Sequence, residues 1–179
     1  MKRAALAVIL LAASSGVASA GGYIGLGVGT GPALGSDAGD DLFESIGRSG
    51  RLVIGSRFSR LSIEGALGGF DMNWANTGKT DVYQGAVAGK LSLPLGDGFE
   101  AFGRLGVQRT WLSTDRDETD LAGNGMLVGG GVEYRFSAGI GAASLWLDYQ
   151  YTSADLESSN GNTLELSARM WTLGISIGI

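Results

Sequence analysis

Apolar residues recur at every second position along most of this chain, the spacing of a strand with two unlike faces. From Tyr23 to Thr30, Ile24, Leu26 and Val28 alternate with Gly25, Gly27 and Gly29. Leu52, Ile54 and Phe58 alternate with Arg51, Val53 and Arg57; Leu61, Ile63 and Leu67 with Ser62, Glu64 and Ala66. Tyr83, Val87, Leu91 and Leu93 alternate with Gln84, Ala88, Lys90 and Ser92. Phe99, Ala101, Leu105 and Val107 alternate with Glu100, Arg104 and Gln108. Val128, Val132, Tyr134 and Phe136 alternate with Gly129, Gly131, Glu133 and Arg135. Leu145, Leu147, Tyr149 and Tyr151 alternate with Trp146, Asp148 and Gln150. Trp171, Leu173, Ile175, Ile177 and Ile179 alternate with Thr172, Gly174, Ser176 and Gly178. The pattern predicts eight strands, most of them long enough to cross a bilayer, which takes roughly 9–11 residues.

The connections alternate in length. Ser59-Arg60, Gly96-Asp97 and Ser137–Ala142 are short; Gly31–Arg48, Asp71–Asp81, Ser113–Asn124 and Ser153–Thr163 are long. Short turns at one end and long loops at the other describe a barrel with periplasmic turns and extracellular loops, and an even strand count puts both termini at the periplasmic end. The predicted fold is all-β: an eight-stranded antiparallel up-and-down transmembrane β-barrel.

The N-terminus agrees. Met-Lys-Arg precedes an apolar run, Ala4–Ala13, and a stretch ending Ala18-Ser19-Ala20. That is the form of a secretory signal peptide. Residues 1–20 are therefore expected to be removed, leaving 21–179 as the barrel domain. No Cys follows the apolar run to carry a lipid anchor. Loss of Lys2 and Arg3 takes the net charge from −5 to −7, and no basic run is present to track nucleic acid.

Composition narrows the class. Gly supplies 32 of 179 residues, without the period of collagen, and apolar residues supply 44%, too many for a disordered tail. Alternation fixes two faces but not which is inner. A soluble lipocalin-like barrel has its apolar face inside; a membrane barrel has it outside. The second is expected here. Phe58, Tyr83, Phe99, Trp111, Tyr134, Phe136, Tyr151 and Trp171 lie near strand ends on the apolar faces, where interfacial girdles form. The other faces are Gly, Ala, Ser and a few charges, a mixture that fills a narrow lumen.

The charges assigned to the lumen are Arg51, Arg57, Glu64, Lys90, Glu100, Arg104, Glu133, Arg135 and Asp148. The hairpin across Gly96-Asp97 is expected to put Lys90 opposite Arg104, with Glu64 and Glu133 on the flanking strands. Like charges in such a pair repel, so an alternating ion-pair network is expected. Packing of the lumen is its simplest role and gating of an ion path the alternative.

Certain hairpins carry a resemblance. Gly-Ser-Arg-Phe-Ser-Arg-Leu-Ser-Ile-Glu-Gly (55–65), Leu-Pro-Leu-Gly-Asp-Gly-Phe-Glu-Ala-Phe-Gly-Arg-Leu-Gly (93–106), Gly-Gly-Gly-Val-Glu-Tyr-Arg-Phe (129–136) and Leu-Asp-Tyr-Gln-Tyr (147–151) resemble those of small outer-membrane β-barrel proteins of the OmpA-like transmembrane type. The resemblance implies insertion by the barrel assembly machinery. Members commonly end in an aromatic residue, where this chain has Ile179, and the peptidoglycan-binding domain of full-length OmpA-type proteins is not expected here.

Little chemistry stands out. The chain has no His, so a Ser-His-Asp arrangement is excluded, and with no Cys a Cys/His zinc site is too. No cofactor is expected. Asp115, Asp117, Glu118 and Asp120 form a weak calcium candidate without the spacing of an EF-hand. Asp37, Asp40, Asp41, Glu44, Asp71, Asp155 and Glu157 make the other long loops acidic. The expected function is a non-enzymatic structural or surface-interaction barrel. A narrow porin-like channel is the alternative, followed by a lipid-modifying enzyme and a soluble ligand binder. Expected partners are outer-membrane lipid and lipopolysaccharide, with a monomer as the default.

Overall fold

A computed structural model describes residues 21–36, 43–44, 47–74, 78–114, 121–138, 141–157 and 163–179. The strands are β1 (Gly21–Thr30), β2 (Ala33–Ser36), β3 (Phe43–Glu44), β4 (Arg48–Phe58), β5 (Leu61–Trp74), β6 (Gly78–Gly96), β7 (Phe99–Thr114), β8 (Leu121–Ala138), β9 (Gly141–Glu157) and β10 (Thr163–Gly178). Each long strand pairs antiparallel with its neighbours in sequence, and β1 pairs with both β4 and β10. The sheet is a closed eight-stranded barrel. The Ile179 N–H donates to the Gly22 carbonyl at 2.8 Å, extending the seam beyond the last strand. Closure satisfies the backbone groups along the belt, which lipid cannot do. The two remaining strands lie in the first long connection: β2 pairs with β10, and β3 with β5.

The apolar stripes face outward. Ile24, Leu26, Val28, Leu61, Ile63, Val87, Leu105, Val107, Leu173 and Ile175 are all exposed. The faces are thus those of a membrane barrel and the reverse of a soluble one. Aromatic rings gather at both margins. Phe99, Tyr134 and Phe136 form a cluster at the short-turn end, with centroids 4.7 and 5.9 Å apart. Tyr149 and Trp171 meet at 4.9 Å near the other end.

Two short connections differ from expectation. The turn after β6 is Asp97-Gly98, one residue later than expected, because the ladder slips between Pro94 and Gly96. Asp97 and Gly98 both take positive φ, 51° and 84°, the backbone of a tight hairpin turn. The slip matters for packing: a two-residue turn without it would set Lys90 opposite apolar Leu105. The bulge restores the pairing of Lys90 with Arg104. At the other, β8 continues to Ala138 and β9 restarts at Gly141, so the expected turn Ser137–Ala142 is mostly strand.

The long loops differ most. β5 runs on to Trp74 and β6 begins at Gly78; β7 ends at Thr114 and β8 begins at Leu121; β9 ends at Glu157 and β10 begins at Thr163. Strands of 14–19 residues therefore rise past the apolar belt. Bilayer thickness sets only a lower bound on strand length, and the ladder continues wherever neighbours supply partners.

Above the belt the two faces exchange polarity. Outward positions become Asp71, Asp81, Arg109, Asn124 and Asp155, all exposed. Inward positions become Phe70, Val82, Leu112, Ala154, Leu166, Ala168 and Met170, which pack as one buried apolar cluster. Water surrounds this end, so the ordinary rule of apolar inside returns. The cluster plugs the lumen at the loop end.

Candidate functional site

The lumen below the plug is polar because each strand delivers its small and charged residues inward at period two. Asp148 on β9 is fully buried and receives two arginines. Arg51 of β4 meets it at 2.5 Å and Arg104 of β7 at 2.9 Å. Arg104 reaches on to Glu64 of β5 at 3.1 Å. Lys90 of β6 stands 3.5 Å from Glu64 and 2.6 Å from Glu133 of β8. The result is a chain of alternating sign, Arg51–Asp148–Arg104–Glu64–Lys90–Glu133, with three cations and three anions and no net charge. It draws on six strands. Tyr23 of β1 adds a seventh by donating its hydroxyl to Glu64.

A second group lies nearer the short turns. Arg57 forms a bidentate pair with Glu100 at 2.8 and 2.9 Å, and Arg135 approaches the same carboxylate at 3.3 Å. All nine charges placed in the lumen from sequence stand in one of these two groups. Lys90 lies directly opposite Arg104, and Glu100 directly opposite Glu133. Each like-charged pair is relieved by partners of the other sign: Glu64 between the cations, Lys90 and Arg57 on the anions.

Aromatic rings fill the space between the ions: its alternation with Leu145 and Leu147 places Trp146 on this face, whereas Phe102 and Tyr23 are not assigned to it from sequence. Lys90 lies 4.4 Å and Arg104 5.1 Å from the Phe102 ring centroid. Arg51 lies 4.9 Å from the Trp146 ring. Trp146 also donates to Ser176 Oγ at 2.9 Å, tying β9 to β10. The indole needs the missing side chain at Gly174, where a Cβ would collide with its six-membered ring. The signal was parity: Phe102 shares its face with Glu100 and Arg104, and Tyr23 shares its face with Gly25. Arg51 also donates to Gln150 Oε1 at 2.5 Å.

A cavity of about 460 Å³ opens from the short-turn end and ends against this network. Tyr23, Arg57, Lys90, Glu133, Arg135 and Ser144 are among its lining residues. Between network and plug lies a layer of Gln84, Gln108, Gln150 and Thr172 around a void of only about 30 Å³. Every lumen carboxylate is held by a cation. Among the described residues no cluster of carboxylates has the geometry to hold a metal ion. The calcium candidate Asp115, Asp117, Glu118 and Asp120 lies outside the described residues, as do Asp37, Asp40 and Asp41.

Comparison with known proteins bears on this arrangement. Residues 4–177 match the family model for the outer membrane protein beta-barrel domain. No curated protein matches the chain. Among solved structures, Neisserial surface protein A aligns over 87% of this chain and 96% of its own, at 14% identity and a TM-score of 0.67. Ail, the attachment invasion locus protein of Yersinia pestis, aligns over 89% and 98%, at 12% identity and a TM-score of 0.55. A major outer membrane protein of Thermus thermophilus aligns over 90% and 100%, at 12% identity and a TM-score of 0.51. At these identities the likeness is one of fold.

Proposed function

Because the chain belongs to the outer membrane protein beta-barrel domain family, we propose that it is a structural or surface-interaction barrel of the bacterial outer membrane, non-enzymatic and closed to ions and solutes. One observation carries this reading: a neutral ion-pair chain and an apolar plug lie one above the other in the lumen. An eight-stranded barrel has room for little beyond its own side chains. An ion crossing it would have to displace both layers.

The channel reading draws support from the cavity, which brings water as far as Lys90 and Glu133. An ion-pair network can gate such a path. Planar-bilayer recording of the folded protein separates the two. The closed reading expects no unitary openings at about 100 mV, a potential worth about 2.3 kcal/mol per charge. Regular openings from purified wild-type protein would overturn it. A lipid-modifying activity has less support, since the chain has no His to act as base.

On the same reading residues 1–20 act as an export signal, and intact-mass measurement of the membrane form should give a chain beginning at Gly21. The barrel assembly machinery would insert the chain. Outer-membrane lipid and lipopolysaccharide would be its surroundings. The closed seam makes a monomer sufficient.

A further inference from the structure

Two sets of cations stand out in this barrel. All five in the lumen are ion-paired. Arg48, Arg109 and Arg169 instead lie on the outer face, are exposed, and have no carboxylate partner among the described residues. All three stand at the loop-end margin of the apolar belt. The short-turn end has only Arg60, within a turn, as an exposed cation without an ion pair among the described residues.

Arg48 and Arg169 share one patch across the barrel seam. Arg48 on β4 lies directly opposite Thr30 on β1. The Trp171 N–H of β10 donates to Thr30 Oγ1 at 3.2 Å, which sets Trp171 beside Thr30. Trp171 is 49% exposed and packs against Tyr149 of β9 with ring centroids 4.9 Å apart. One outward position higher, Arg169 lies opposite Tyr151, its guanidinium carbon 5.7 Å from the ring centroid. Strands lie about 4.8 Å apart and alternate residues about 6.7 Å along a strand, so the two arginine backbones are about 12 Å apart.

We propose that this patch binds the phosphorylated sugar headgroup of an outer-leaflet glycolipid. Arg48 and Arg169 each hold a phosphate, and the exposed Trp171, Tyr149 and Tyr151 surface carries the sugar. A guanidinium presents paired N–H donors that match phosphate oxygens. Tyr and Trp rings favour the headgroup depth of a membrane. An outward arginine costs about 2–4 kcal/mol at the bilayer midplane but about 0–1 near the interface, so these side chains belong among headgroups. The patch runs without a break into the lipid-facing belt, which favours a lipid over a soluble acidic partner. Asp155 and Glu165, opposite each other on β9 and β10, stand farther from the belt, and Asp71 of β5, one position beyond the Ser49–Phe70 rung and so beside Arg48, makes no ion pair with it.

The proposal rests on the outer-membrane barrel reading, whose own failure would show separately as no heat-modifiable gel migration. The test titrates folded protein in neutral detergent with bisphosphorylated lipid A, its dephosphorylated form, or phosphatidylglycerol at matched charge. Native mass spectrometry reads the bound fraction. Each arginine near a charged surface is worth about five-fold in affinity. Arg48→Gln with Arg169→Gln should therefore weaken lipid A binding about 25-fold by the same increment, and Arg60→Gln should leave it unchanged. Should the double variant fail to fold, Arg48→Lys with Arg169→Lys keeps the charge and should give an intermediate loss. Equal binding of the dephosphorylated lipid, equal binding of phosphatidylglycerol, or full affinity in the variant would each overturn the proposal.

Discussion

Asp148 is the residue on which the lumen depends most. It is 0% exposed and pairs with two arginines from different strands. Removing one partner of a buried pair leaves an unpaired charge, at a cost of about 3–5 kcal/mol. Asp148→Ala is expected to lose that much in urea unfolding from vesicles, followed by tryptophan fluorescence. Arg135 is the contrast: its side chain is 40% exposed, and solvent screens its pair with Glu100. Arg135→Gln should change stability by less than about 1 kcal/mol. Equal losses in the two variants would mean that the lumen is wetter than its packing implies. Glycine makes a parallel pair. A Cβ at Gly174 would run into Trp146, whereas at Gly103 it would meet nothing within 4 Å. Gly174→Ala should therefore cost about 1–3 kcal/mol through overpacking and loosen the Trp146–Ser176 hydrogen bond, while Gly103→Ala should be neutral or stabilising.

At the scale of the strand, one period runs from end to end while the polarity of its faces changes once. β10 shows it: Ile175, Leu173 and Trp171 point outward at the belt, and higher up Met170, Ala168 and Leu166 are buried inside. This explains what is legible in the sequence and what is not. The belt faces and the positions of the lumen charges are legible because period two fixes a side once one stripe is recognised. The plug is not, because the apolar stripe that marks each strand stops where its outward residues turn polar. Asp71, Asp81, Arg109 and Asp155 have the composition of loops, although their strands continue. The inward ring of Phe102 is hidden for a related reason. A ring in a membrane strand suits an interfacial girdle, and only the parity of Phe102 with the charges marks it as a partner for cations. The exchange of polarity also fixes the membrane surface, between Val107 and Arg109 on β7 and between Tyr151 and Asp155 on β9. The chain has no Cys, so single cysteines report cleanly. In vesicles, Val107→Cys should resist a water-soluble maleimide, while Arg109→Cys and Asp155→Cys should react. Rapid labelling at position 107 would move the boundary and shorten the belt.

For the whole molecule, closure and contents act together. The ladder joins each long strand to its immediate neighbours, whereas the ion-pair chain joins strands across the lumen. On the closed reading, that bracing and the plug act as two barriers in series. Phe70→Leu with Met170→Ala thins the plug but leaves the network, in which no side chain is more than 9% exposed. Such a variant should stay silent in a planar bilayer. Lys90→Ala with Glu133→Ala removes one cation and one anion, which keeps the remaining charges balanced and opens space beside the cavity. With an intact plug it should be silent too. Only the four substitutions combined should give openings, since water then meets no closed layer except the glutamine and threonine level around a small void. Conductance in the plug variant alone would show that the ion pairs part easily and gate the lumen. Conductance in the network variant alone would show that the apolar cluster does not seal.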